Sequence, residues 1–241
     1  MQFVSERRHD DLREREFVLD EVPGVLWTPA SEAAPTPLVL LGHPGGLPKM
    51  YPRLLARARR FAADGIAAAT IELPGSGERP ASAEAEQARA DLRRALALGE
   101  PVDEIVERLV RPLVEQAVPE LQHALDALLS LPEIGGPVGY SGGVIAIGVR
   151  LAATEPRIAA AGLFAGSFVP AATFEDARRT TIPLHVLLQW DDEQNDRDAA
   201  LRLFDAFGSK EKTLQANLGG HTGVPEHAGE DAARFFARHL T

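Results

Sequence analysis

The sequence predicts an α/β fold: a mostly parallel central sheet with helices on both faces. Three observations predict it. Short apolar runs without alternation, Pro37 to Gly42 being the clearest, have the pattern of strands buried on both faces. Helical stripes separate these runs, and strands that alternate with helices call for right-handed crossovers and parallel pairing. A chain of 241 residues, 45% of them hydrophobic, is long and apolar enough to hold one core without a disulfide or metal staple. With no internal repeat and no second core pattern, residues 1–241 read as one domain.

Each element follows in order. Glu16 to Leu19 and Gly24 to Thr28 flank the pair Pro23-Gly24 and read as a hairpin, with Pro23 either in the turn or an edge feature. Pro29 to Pro37 is an Ala/Pro-rich connection to the first buried strand, Pro37 to Gly42. Tyr51, Leu54, Leu55, Ala58, Phe61 and Ala62 recur at helical spacing, and Gly65 ends that helix. Ile66 to Leu73 is the next strand. Val118, Leu121, Leu125 and Leu128 mark a helix, then comes a strand at Pro137 to Tyr140 and a helix from about Gly142 to Thr154. Ala159 to Ala165 and Pro183 to Gln189 are strands. Ala200, Leu203, Phe204 and Phe207 form a helix face, Lys212 to Leu218 a strand, and Ala233, Phe236, Ala237 and Leu240 the last helix.

One stretch breaks the alternation. Residues 76–117 carry two helical patterns, Ala83 to Leu98 and then Val102, Ile105, Val106, Leu109 and Leu113, and Pro112 is expected to kink or end the second. Two readings stay open: a helical insertion packed on the sheet edge, or a cap over a pocket.

Composition narrows the function. A formal charge of −10 argues against nucleic-acid binding, which needs clustered Lys and Arg facing phosphates. The absence of cysteine removes Cys nucleophiles, thiolate zinc sites and iron–sulfur clusters. The N-terminal MQFVSERRHDDLREREF is charged where a signal peptide needs an apolar stretch, and no run of apolar residues is long enough to span a bilayer. A cytoplasmic protein without a membrane partner is expected.

The chemistry concentrates at strand ends. GYSGG at 139–143 matches G-x-S-x-G between a strand and a helix, where a serine nucleophile projects from a sharp turn and small neighbours let the backbone make it. A helix start there would aim the Gly142 N–H at a developing oxyanion. A serine hydroxyl needs a base, and the base needs an orienting acid. Pro183 to Gln189 runs into Trp190-Asp191-Asp192-Glu193, and Lys212 to Leu218 runs into Gly219-Gly220-His221. Gly42-His43-Pro44-Gly45-Gly46 follows the first buried strand, where a second oxyanion donor originates. Pro44 has no N–H, so Gly45 is the first candidate and Gly46 the second.

From about Pro37 onward the chain resembles the α/β-hydrolase superfamily, most closely its small serine esterases and dienelactone-hydrolase-like members. The resemblance rests on GHPGG at 42–46, GYSGG at 139–143, LLQWDDE at 187–193 and GGH at 219–221. It implies an ester hydrolase that uses Ser141 as nucleophile, His221 as base and Asp192 as acid, with the amides of Gly45 and Gly142 as the oxyanion hole. It implies no cofactor and no metal, and a small-molecule ester as substrate. Two departures from the family pattern stand out. The interval in which superfamily caps usually sit, Gly166 to Ile182, is short, and dienelactone hydrolases proper use a Cys nucleophile that this chain lacks.

Alternatives remain for several residues. Asp191 competes with Asp192, although the family pattern favours Asp192. His227 competes with His221, but follows Pro225-Glu226, which reads as a helix start. His43 reads as a backbone-bonding loop residue, and His123, His185 and His239 as structural. Glu72 and Glu78 read as solvated carboxylates, and Arg53, Arg57, Arg59 and Arg60 as a solvated helix face. A metal hydrolase is disfavoured, since no tight ligand spacing occurs. An acyltransferase or thioesterase using the same triad, or a non-catalytic binding protein on the same scaffold, would share these motifs.

Overall fold

A computed structural model describes residues 1–30 and 35–241. The centre of the Ala/Pro-rich connection, residues 31–34, lies outside the described residues. The chain opens with three antiparallel strands, β1 (Gln2–Arg8), β2 (Leu12–Leu19) and β3 (Val22–Pro29). The expected hairpin forms, but its turn is Asp20-Glu21 rather than Pro23-Gly24. Both turn residues are left-handed, with φ of 47° and 69°, and Pro23 lies inside β3 opposite Val18. A two-residue turn with both φ positive matches the twist of paired strands. Pro23 is tolerated because its carbonyl, not an N–H, is used: it accepts from Glu72 N at 2.8 Å. Strand β1 has no apolar run to betray it, and its charged side chains suit a sheet edge.

The remaining elements are β4 (Thr36–Gly42), α1 (Leu47–Ala63), β5 (Ala67–Ile71), α2 (Ala83–Leu98), α3 (Asp103–Leu129), β6 (Ile134–Gly142), α4 (Ile145–Thr154), β7 (Ile158–Phe164), α5 (Ala172–Arg179), β8 (Leu184–Gln189), α6 (Arg197–Ala206), β9 (Lys212–Asn217) and α7 (Glu226–Leu240). The sheet order is β1-β2-β3-β5-β4-β6-β7-β8-β9, antiparallel up to the β3–β5 pair and parallel from there on. This is the mostly parallel sheet the sequence predicts. Strand order reverses at β4, which has β5 on one side and β6 on the other. Such a switch point opens a crevice beyond the C-terminal ends of the strands, where ligands of open α/β sheets bind.

The helices cover both faces. On one face α1 and α7 pack together, with Val39, Leu41, Leu54, Ala58, Phe61 and Phe236 as their shared core. On the other, α3 and α4 lie over Leu38, Leu40, Val138 and Tyr140. Helix α3 joins two patterns that the sequence separated, running unbroken through Pro112 and Pro119. Each interior proline costs about 3 kcal/mol. Burying Val106, Val110, Val114, Val118, Leu121, Leu125 and Leu128 along one face, at about 1.5–3 kcal/mol apiece, outweighs that cost. Helix α2 packs on α3, and Arg79 grips Glu120 of α3 through two bonds of 2.7 Å. Helix α5 has no counterpart in the sequence reading; its four charged residues among eight left no apolar stripe to follow.

Candidate active site

The ends of β4 and β6 meet at the switch point, with Gly42 in register with Gly142. After β4 the chain runs through His43-Pro44-Gly45-Gly46 into α1. His43 is buried, with Nδ1 2.8 Å from the Gly45 carbonyl oxygen and Nε2 3.0 Å from that of Ile71, so it ties the loop to its neighbours. Glu72 departs from its expected role as a solvated carboxylate. It is 3% exposed, accepts from Leu47 N at 2.8 Å and Leu73 N at 3.2 Å, and takes the Ser76 hydroxyl. Through these bonds it couples the loop after β4 to the loop after β5.

Beyond β8 and β9 the structure brings Asp192 and His221 together. Asp192 Oδ2 accepts from His221 Nδ1 at 2.8 Å and from Asn195 Nδ2 at 2.6 Å, and Oδ1 accepts from Gln194 N at 2.9 Å. Burial pushes this carboxyl up, but the bonds from His221, Asn195 and Gln194 outweigh burial and hold it below the usual carboxylate value. Asn195 is itself fixed, its Oδ1 accepting from Ser167 N at 3.1 Å. Gln189, buried at the end of β8, donates to the Gly220 carbonyl at 3.2 Å and so holds the loop that carries His221. The His221 ring stands edge-on to Phe164, 5.8 Å between centroids. Of the competitors, Asp191 is exposed, and His227 is exposed in the first turn of α7.

Ser141 sits differently from expectation. It lies within β6, in register with Leu41 and Gly162, and helix α4 begins only at Ile145. The turn that leaves the strand is made by Gly142 and Gly143, with φ of +83° and +74°. The left-handed position of the strand-to-helix turn therefore belongs to Gly142, one residue past the serine, and Gly142 does not open the helix. The Ser141 Oγ accepts from Arg57 Nη2 at 2.7 Å and makes no hydrogen bond to His221 among the described residues. The same Nη2 donates to the Ser141 carbonyl at 2.6 Å, and Nη1 to the Gly42 carbonyl at 3.3 Å. Burial pushes Arg57 down to about 10, with a smaller contribution in the same direction from Arg60.

Ser141 and His221 nonetheless share a cavity. It measures about 470 Å³ and lies between α1, α7 and the strand ends, with Gly42, Gly142, Phe164 and Leu187 among its lining. No residue of 76–117 lines it, and neither does Gly45. At Gly45 a side chain would meet only open space. Among the described residues no group of three His, Asp or Glu side chains is placed to hold a metal ion, and no helix is long and apolar enough to cross a membrane.

Arg57 and Asn195 join the site without a sequence motif that marks them, and His185 is buried against Thr213 and Phe235. Arg57 was grouped with a solvated basic face, yet its spacing from Leu54 and Phe61, three before and four after, puts it beside the buried stripe of α1.

No model of a known protein family matches the chain, and no curated protein matches it. Solved structures do. A cold-adapted esterase from an Arctic intertidal metagenomic library is 28% identical over 100% of both chains, with a TM-score of 0.78. An acetyl xylan esterase from a Thermoanaerobacterium species aligns at 12% identity over 100% of this chain and 88% of its own, with a TM-score of 0.68. An acetyl xylan esterase from a Paenibacillus species aligns at 16% identity over the same shares, also at 0.68. The fold is the α/β-hydrolase fold, and these structural neighbours are esterases.

Proposed function

We propose that the chain is a carboxylic-ester hydrolase in which Ser141 is the nucleophile, His221 the general base and Asp192 its orienting acid. The observation that carries this reading is the 2.8 Å bond between Asp192 and His221 Nδ1, on the wall of the cavity that Ser141 also lines. That bond leaves Nε2 as the acceptor, the tautomer a general base needs. His221 takes the hydroxyl proton as Oγ bonds to the ester carbonyl carbon. Its imidazolium then returns the proton to the departing alkoxide, and water cleaves the acyl-enzyme by the same relay. The proposed oxyanion donors are the amide of Gly142, on the cavity wall, and that of Gly45, which lies off the wall and reaches it only when the loop after β4 turns inward on substrate binding; such groups are worth about 3 kcal/mol each where they act. Arg57 adds a cation beside the hydroxyl, which favours its ionised form. The side chain of His221 is 41% exposed, which leaves it room to swing toward the hydroxyl when substrate binds. The 28% identical esterase supports the reaction class.

A second reading has its own observation. The left-handed turn position that a hydrolase reserves for its nucleophile is held by Gly142, and Arg57 occupies the Ser141 hydroxyl. A protein that binds a ligand without turning it over fits that geometry. A fluorophosphonate probe separates the two. A hydrolase is labelled on Ser141 and cleaves a short p-nitrophenyl ester, whereas a binding protein stays unlabelled and inert.

A further inference from the structure

The cavity is cationic in a chain whose formal charge is −10. Arg53, Arg57 and Arg60 fall at i, i+4 and i+7 on α1, and all three line it together with His185 and His221. Among the described residues Glu226 is the sole carboxylate on its wall, an exposed residue 3.8 Å from Arg60. Neither Arg53 nor Arg57 has a carboxylate partner among the described residues. Arg57 makes three hydrogen bonds to oxygens of Gly42 and Ser141, fewer than its N–H groups can make. A half-buried guanidinium without a counter-charge carries a desolvation cost that an anion would offset. Gly142 keeps the place open for it, since a Cβ there would lie 2.9 Å from Nη1. The buried His185 sits in the same wall. Its Nδ1 is 3.2 Å from Thr213 Oγ1, its ring also interacts with the Gln215 side chain, and its Nε2 is closed off from the cavity, so it serves as packing rather than as a donor.

We propose that this cavity is a carboxylate-binding site, in which Arg57 and Arg53 hold the anionic group of a small organic acid or half-ester. A carboxylate supplies what the wall lacks: one negative charge, with oxygens to accept from the unused N–H groups of Arg57 and Arg53. Apolar neighbours such as Leu54, Phe61 and Leu187 suit an organic acid better than a heavily hydrated inorganic dianion. The site does not depend on Ser141 chemistry, because a binding protein would use it equally. Where Ser141 does turn over, the preferred esters are those carrying a free carboxylate.

Titration calorimetry on the intact wild-type chain at neutral pH and low salt tests it. Butyrate, succinate and benzoate are compared with butyramide, succinamide and benzamide, and with inorganic phosphate. At least one acid binds about tenfold or more tighter than its amide. Arg57→Gln removes that binding, and the double variant R53Q/R60Q weakens it about tenfold. Should Arg57→Gln fail to fold by circular dichroism, the double variant and Arg57→Lys carry the test. Amides binding as well as acids, no acid binding at all, phosphate outbinding every acid, or a folded R53Q/R60Q protein with unchanged affinity each overturns the proposal. Fluorophosphonate labelling of the wild-type chain is read independently of acid binding, so the hydrolase reading stands or falls separately.

Discussion

Arg57 Nη2 donates to both the hydroxyl and the carbonyl oxygen of Ser141, at 2.7 and 2.6 Å. One side chain thus clamps the end of β6 just before its turn. The clamp has room because residue 142 carries no Cβ, and the turn is possible because residue 142 accepts a φ of +83°.

Gly142→Ala therefore acts twice. It places an L-residue in the left-handed region and pushes on the Arg57 guanidinium. A loss of about 1–3 kcal/mol in denaturant unfolding is expected. An unchanged midpoint would mean that the turn is made elsewhere.

Asp192→Asn is expected to lower ester turnover by about 10⁴-fold with the fold intact, because the amide no longer fixes the imidazole tautomer. Asp191→Asn, an exposed position, should leave turnover within about twofold of wild type. Steady-state rates on a p-nitrophenyl ester compare the two, and the reverse ranking would exchange their roles.

The Asp192 carboxyl also links stability to pH. Its folded pKa lies below the unfolded value of about 3.9, so its contribution is fully present above that value and is lost as pH falls through the folded one. The stability gap between wild type and Asp192→Asn is expected to narrow between about pH 5 and pH 2. Urea unfolding across that range measures it, and a gap that stays constant or widens on acidification contradicts the assignment.

The sheet was legible because its central strands are buried on both faces, so β4, β7 and β8 announce themselves as apolar runs. The Asp192–His221 contact was legible because parallel strands bring their C-terminal ends to one rim, and both residues follow such ends. Other features had no one-dimensional signal. G-x-S-x-G gives composition but not which residue takes the left-handed position; local backbone geometry decides, and it places Gly142 and Gly143 there rather than Ser141. Arg57 was hidden among basic neighbours of which only some face water. Glu72 looked solvated because its partners, Leu47 N and Ser76, belong to loops whose proximity is set by the β4–β5 pairing. The turn at Asp20-Glu21 carries no glycine, so its left-handed pair was invisible.

Intact-mass spectrometry after fluorophosphonate treatment, on wild type and on Ser141→Ala, tests the central claim most directly. One adduct on the wild-type chain, mapped by peptide analysis to Ser141 and absent from the variant, is the expected result. A wild-type chain that stays unmodified and cleaves no activated ester, or one labelled at another residue, would contradict it.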